Sequence, residues 1–179
     1  SWPQQGIESK AIIITAAGSH DPFSLFASAD LPNYHSLDTC MVFARWRYET
    51  VDADDGTLSF DTPADGEVID GFRRVDNITD EALAKFVAAY GDSITKGDIF
   101  HYVYGLLHSP DYRESYAADL KKMLPRIPLV TDPKPFITAG EHLMKLHLGY
   151  ETVEPYPLEG LHPDAPAGDK AYAFYAVQK

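Results

Sequence analysis

The stretch that most constrains the fold is Lys96-Gly97-Asp98-Ile99-Phe100-His101-Tyr102-Val103-Tyr104-Gly105-Leu106-Leu107-His108. Its apolar residues Ile99, Phe100, Tyr102, Val103, Leu106 and Leu107 surround most of a helical circumference, so a helix here must be covered on more than one side. Both ends are marked. Thr95 offers an N-cap hydroxyl and Asp98 the reciprocal partner of a capping box. Beyond His108, Ser109 can cap a following helix, Pro110 takes its first position without losing a hydrogen bond, and Asp111 suits the positive end of the dipole. In that next helix Tyr112, Tyr116 and Leu120 line one stripe, Lys121 and Lys122 sit at the C-terminal end, and Pro125 and Pro128 stop the run. The segment 94–128 therefore reads as two helices joined at a Ser-Pro corner.

Upstream, the pattern is that of strands. Ala11 to Thr15 is a β-branched run closed by a Gly18-Ser19-His20-Asp21-Pro22 turn, and Phe23 to Ser28 is a second strand. Cys40 to Tyr48 is a third, with Val42, Ala44, Trp46 and Tyr48 on one face and Met41, Phe43, Arg45 and Arg47 on the other. Two arginines at i and i+2 then point the same way, as a solvated sheet face or as a contact to phosphate or base edges. Residues 49–71 hold eight acidic residues with Gly56, Pro63, Gly66 and Gly71, which predicts a solvated loop or hairpin. A calcium loop from Asp52 is excluded by Pro63 at the position of the closing glutamate.

From Asn77 the pattern is helical. Thr79 caps a helix with Asp80 and Glu81 in its first turn; Leu83, Phe86, Val87 and Tyr90 share its apolar face, and Gly91 ends it. Residues 130–135 read as a stiff extended link. Phe136 to Leu148 is the last helix, with Phe136, Gly140, Leu143, Leu146 and His147 inward. Ala171 to Val177 reads as a short terminal strand after a Pro-rich connector. The expected architecture is α+β in a single domain, 1–179: a strand-rich 1–76 with the acidic loop 49–71, a helical 77–149 of about four helices, and a tail 150–179 carrying the short C-terminal strand.

Composition narrows the function. The chain has 15 Lys/Arg against 27 Asp/Glu, a net charge of −12, which repels phosphate on average and predicts weak nucleic-acid binding in isolation. The charge is uneven: residues 1–70 hold 3 basic and 12 acidic residues, whereas 71–150 hold 10 of each. A single cysteine, Cys40, excludes an internal disulfide and suits a reducing, cytoplasmic compartment. No run approaches a membrane span, and the N-terminus has no signal-peptide pattern. A start at Ser1 without Met reads as a processed chain or, by preference, a fragment of a longer one. His142 and His147 are five apart, about 140° around a helix, and do not chelate as an i, i+4 pair would. Gly18-Ser19-His20-Asp21 is a turn rather than a triad, which is assembled in space. P-loop, GxGxxG and GxSxG motifs are absent. The expectation is no catalytic residue, no metal site and no cofactor.

The stretch Lys96 to Arg113, with Tyr116-Ala117-Ala118-Asp119-Leu120-Lys121-Lys122-Met123-Leu124-Pro125-Arg126-Ile127-Pro128, resembles the C-terminal target-recognition region of type ISP single-polypeptide restriction–modification enzymes. Asn77-Ile78-Thr79, the strand pair spanning Gly18 to Phe26, Gly140 to His147 and Tyr156-Pro157-Leu158 keep the family's order, so the resemblance covers roughly two thirds of the chain. It implies a bacterial parent chain with nuclease, helicase-like motor and adenine methyltransferase, in which this fragment reads duplex DNA and contacts the methyltransferase domain. The acidic 49–71 segment and the lack of Lys or Arg in Gly18–Pro22 depart from the family's pattern. Candidate DNA contacts are Arg45, Arg47, Arg73, Arg74, Lys96, Lys121, Lys122 and Arg126. Each has the alternative of an ordinary surface charge, and Tyr102, Tyr104, Tyr112 and Tyr116 that of core aromatics. The second reading is a non-catalytic docking module that touches DNA little; a third, a hydrolase, would depend on Ser19 or His20.

Overall fold

A β-branched run buried on both faces belongs in the middle of a sheet, and β1 (Ala11–Thr15) takes that place, with every residue at most 5% exposed. The computed structural model describes residues 9–30, 32, 36–37, 39–51 and 66–154. Strand β1 pairs antiparallel with β2 (Leu25–Ser28) on one side and β3 (Cys40–Ala44) on the other, giving the order β2-β1-β3. A second sheet, order β4-β6-β5, contains β4 (Trp46–Thr50), β5 (Val68–Ile69) and β6 (Phe72–Asp76). The Asp70-Gly71 turn between β5 and β6 has φ of 50° and 77°, the doubly left-handed backbone of a two-residue hairpin.

Helix α1 (Asp80–Tyr90) is capped by the Thr79 hydroxyl and α2 (Lys96–His108) by the Thr95–Asp98 box, as expected. Helix α2 is the hub: Tyr102 and Tyr104 are fully buried, and Ile99, Phe100, Leu106 and Leu107 nearly so. One side faces Ile12, Ile14, Leu25 and Ala27 of the first sheet, and the other faces α5 (Lys134–Leu148). The two helices cross glycine on glycine. A Cβ on Gly140 would lie 2.8 Å from the Gly105 nitrogen and nearer still to the His101 carbonyl oxygen. Such closeness is open only to residues without a side chain. Three tyrosines fasten residues 126–130 to the helices: Tyr112 donates to the Arg126 carbonyl (2.7 Å), Tyr102 to Pro128 (2.6 Å) and Tyr90 to Val130 (2.7 Å).

The α+β class stands, with four differences in detail. The expected helix after Pro110 is two short helices, α3 (Pro110–Ser115) and α4 (Ala117–Leu120), broken at Tyr116, whose ψ is 15°. Eight residues of straight helix would carry Leu120 about 80° away from Tyr112; the bend restores Leu120 to the core at 6% exposure and leaves Tyr116 at 40%. Helix α5 begins at Lys134 rather than Phe136, because Pro133 and Pro135 sit in its cap and first turn, where no amide donor is needed. Its buried residues are Gly140, as expected, and Met144, 2% exposed, with Phe136 and Leu143 packed against the core, while Leu146 is 45% exposed. The third strand is divided, as described next. The heart of the acidic loop, 52–65, and the terminal strand, 171–177, lie outside the described residues.

Candidate nucleic-acid interface

Extended backbone runs from Cys40 to Thr50 with one interruption, Arg45, where the chain leaves one sheet for the other. Arg45 is the next rung of both ladders. Its N–H donates to the Lys10 carbonyl (2.7 Å), continuing the β1–β3 pairing, and its carbonyl accepts from the Asn77 N–H (3.1 Å), continuing β4–β6. The Asn77 amide donates to the Ala44 carbonyl (2.9 Å) and closes the same joint. The Arg45 side chain is 10% exposed, forms an ion pair with Asp76 and lies 4.2 Å from the centre of the Trp46 ring. A buried guanidinium so engaged belongs to the joint. Arg45 and Arg47 therefore do not share an environment, which corrects the expectation of a paired arginine face.

Cross-strand register sorts the second sheet. Trp46, Tyr48, Phe72, Arg74 and Asp76 share one face; Arg47, Glu49, Arg73, Val75 and Val68 share the other. Arg74 is mostly buried, bonded to Glu67 at 2.8 Å and stacked 4.6 Å from the Trp46 ring centre. Arg47, 57% exposed, reaches Glu49 at 3.2 Å. Arg73 stands in register opposite Glu49. No helix lies broadly over this sheet among the described residues, and β4 and β6 pair over five residues as a short ribbon, with Val75 on the Arg47 face 8% exposed. The DNA major groove accepts a two-stranded β-ribbon; here the β4–β6 pair carries in addition the two residues of β5 along one edge.

A second group of cations lies at the far end of the first sheet. Lys121, Lys122 and Arg126 are exposed and form no ion pair among the described residues. The Gly18 N–H donates to the Lys121 carbonyl (3.1 Å), and the Ala16 N–H to Thr39 (2.9 Å), which fixes this group beside the Thr15 end of β1. Arg45 lies beside the Ala11 end. One five-residue strand separates the two, roughly 17 Å. Lys96, the remaining candidate, is mostly buried against Asp80 and joins α1 to α2. Of the eight candidates, the fold thus brings Lys121, Lys122 and Arg126 together, groups Arg47 with Arg73, and commits Arg45, Arg74 and Lys96 to internal pairs.

Glu49 is the residue that sequence reasoning missed, by counting it into the acidic loop. The strand period continuing through Tyr48 and Thr50, with Asp70-Gly71 as a hairpin signal, is what places it on β4. Another grouping, invisible in the sequence, joins α2 to α5: Tyr104 donates to or accepts from His147 Nδ1, and His108 packs edge-on against both rings at 4.7 and 5.4 Å between centres. Burial, with His147 and Arg113 nearby, pushes His108 down to about 4, and burial raises the Tyr104 phenol to about 12. His108 and the Tyr104 phenol are therefore neutral near pH 7 and serve packing. The Ser19 hydroxyl accepts the Asp21 N–H at 3.1 Å, the bond of a turn. Among the described residues no three His, Cys, Asp or Glu side chains gather as metal ligands, and no helix is long and apolar enough to cross a membrane.

These features meet those of known proteins. A family model described as the type ISP C-terminal specificity domain matches residues 1–179, and the chain belongs to that domain family. Among solved structures, a cryo-EM structure of a DrdV–DNA complex is similar at 34% identity and a TM-score of 0.69, over 84% of this chain and 13% of that one. The ATP-dependent type ISP restriction–modification enzyme LlaBIII bound to DNA is similar at 26% identity and 0.63, over 82% of this chain and 9% of that one. A nuclease-deletion mutant of the type ISP enzyme LlaGI with a DNA substrate mimic is similar at 29% and 0.58, over 83% and 9%. The chain thus spans a small part of the solved chains it matches. No curated protein matches it.

Proposed function

We propose that this chain, acting as one recognition domain over 1–179, reads the target sequence of duplex DNA for a larger cytoplasmic restriction–modification enzyme. The observation that carries the reading is the specificity-domain match over the whole chain, together with likeness to three chains solved with DNA or its mimic. The domain itself catalyses nothing; nuclease, ATP-driven motor and adenine methyltransferase belong to the rest of the parent chain. Lys121, Lys122 and Arg126, exposed and without ion pairs among the described residues, hold backbone phosphates. Arg47 and Arg73 on the ribbon face the bases, while Arg45, Arg74 and Lys96 hold the frame. The joint at Arg45, from which the ribbon starts, lies roughly 17 Å from the lysine group, about five base-pair rises.

Phosphate contacts position and base contacts specify. Replacing Lys121 and Lys122 by alanine in the full-length enzyme should weaken binding equally on all duplexes. It should also lower the slope of log affinity against log salt by about one for each lost contact. An unchanged slope and affinity refute the assignment.

A specific observation favours a second role for the same domain, docking to the methyltransferase. Strand β3 is a sheet edge with Met41, Val42 and Phe43 37–43% exposed. Beside it a groove of about 260 Å³ is lined by Phe43, Val103, Leu107, Leu124 and Ile127. An open apolar edge is a surface for another part of a protein. Charged substitutions at Met41 and Phe43 should separate the roles: loss of methyltransferase activity with target preference retained marks docking.

A further inference from the structure

Glu49 is an acid in the midst of the cations that the ribbon presents. Its carboxylate lies 3.2 Å from the Arg47 guanidinium on the same strand and in register opposite Arg73 on β6. All three occupy one face. The side chain of Glu49 is 34% exposed and that of Arg47 57%, so the pair meets solvent and is open to a ligand. An exposed ion pair of this kind adds little to stability; its chemistry lies in what it offers outward. One side chain presents only acceptors and the other only donors, held a hydrogen-bond length apart.

That arrangement is complementary to one base pair. In the major groove a C·G pair displays the cytosine N4 amino donor beside the guanine O6 and N7 acceptors. An A·T pair also has an amino donor, but its acceptors, adenine N7 and thymine O4, lie on either side of that donor and cannot take an arginine bidentately as the adjacent guanine O6 and N7 do. The geometry points to Glu49 as a specificity-determining residue that accepts a hydrogen bond from cytosine N4, while Arg47 donates to the guanine of the same pair. This inference rests on the reading of the domain as the DNA-recognising element. The negative charge also disfavours any register that brings Glu49 against a phosphate, so the residue rejects as well as selects.

The test uses the full-length enzyme and its methylation of a duplex library randomised over the target, with Glu49→Gln, Glu49→Lys and Arg47→Ala. Glu49→Gln should reduce the preference for C·G at one position roughly ten-fold or more while other positions keep theirs. Glu49→Lys should replace that preference with another, and Arg47→Ala should relax the same position. Thermal melting should be unchanged for all three, since the site is exposed. A uniform change in affinity on every sequence, or no change with any variant, overturns the inference. The Lys121/Lys122 double variant distinguishes its failure from that of the underlying reading. If that variant loses affinity while Glu49 is silent, only this assignment falls; if neither responds, recognition of DNA by this domain falls too.

Discussion

Substituting alanine for Gly140 tests the idea that a glycine-on-glycine crossing sets the centre of the fold. The added Cβ would sit 2.8 Å from the Gly105 nitrogen and the His101 carbonyl carbon, where ordinary contact begins near 3.4 Å. Its neighbours are backbone of a buried helix, which cannot swing aside as a side chain could. Helices α2 and α5 must part by more than about half an ångström along much of their contact. Overpacking of this kind costs about 1–3 kcal/mol, and more where the obstacle is rigid. Alanine returns up to about 1 kcal/mol through helix propensity, so the net loss should be about 2 kcal/mol, a fall in Tm of roughly 4–8 °C for a chain of this size. Gly97→Ala is the control. In the first turn of α2 its Cβ would meet only the Thr95 hydroxyl at 3.5 Å, and the variant should melt at or slightly above the parent temperature. Gly105→Ala combined with Gly140→Ala should cost less than the sum of the two, because the first substitution has already opened the crossing. The measurement is thermal and urea unfolding followed by circular dichroism. A Gly140→Ala protein as stable as Gly97→Ala would refute the reasoning.

Breaking one side of the joint between the sheets, with Arg45→Met or Asp76→Leu, should cost about 3–5 kcal/mol by stranding the other charge; the double variant should recover much of it, as a double-mutant cycle in urea would read. His108, held down to about 4 by burial, binds its proton less readily folded than unfolded. Its contribution to stability is complete above pH 6.5 and is lost as the pH falls toward 4, by on the order of 2 kcal/mol after allowance for partial solvent access. His108→Gln should flatten that part of the stability–pH curve, and an identical curve would refute the assignment. Thr95→Ala removes both bonds of the Thr95 hydroxyl to Asp98 while leaving the Thr95 N–H bond to the carboxylate, and should cost about 1 kcal/mol in unfolding experiments.

Local signals proved the readable ones. Thr79, Thr95, Ser109 and Gly91 mark helix ends because a cap is satisfied within three or four residues, and all four stand where the pattern puts them. The burial of α2 was legible from its near-complete apolar circumference. What was not legible depends on partners distant in the chain. Nothing near Arg45 announces that its two backbone groups bond to Lys10 and Asn77, and alternation alone carried the strand straight through it. Tyr116 looks like a stripe residue until the need to bury Leu120 bends the helix. Arg45, Arg74 and Lys96 read as surface cations for the same reason: the acids that engage them, Asp76, Glu67 and Asp80, reach them only through the fold. Lys121, Lys122 and Arg126 were found as cations, but their shared place at one end of the first sheet comes from the turn at Gly18.

The hinge at Arg45 has a consequence for how such a domain can vary. Two hydrogen-bond ladders share a single rung, and the pairing of each is determined by strands on its own side. Side chains at alternate positions of β4 and β6 can therefore change without disturbing a hydrogen bond of the first sheet or a contact at the crossing of α2 and α5. Where such a ribbon lies in a groove, a new preference is reached by exchanging a few outward groups on an unchanged frame. On the proposed reading of the ribbon, stability and selectivity are written in different parts of the chain, with one buried arginine as the border between them.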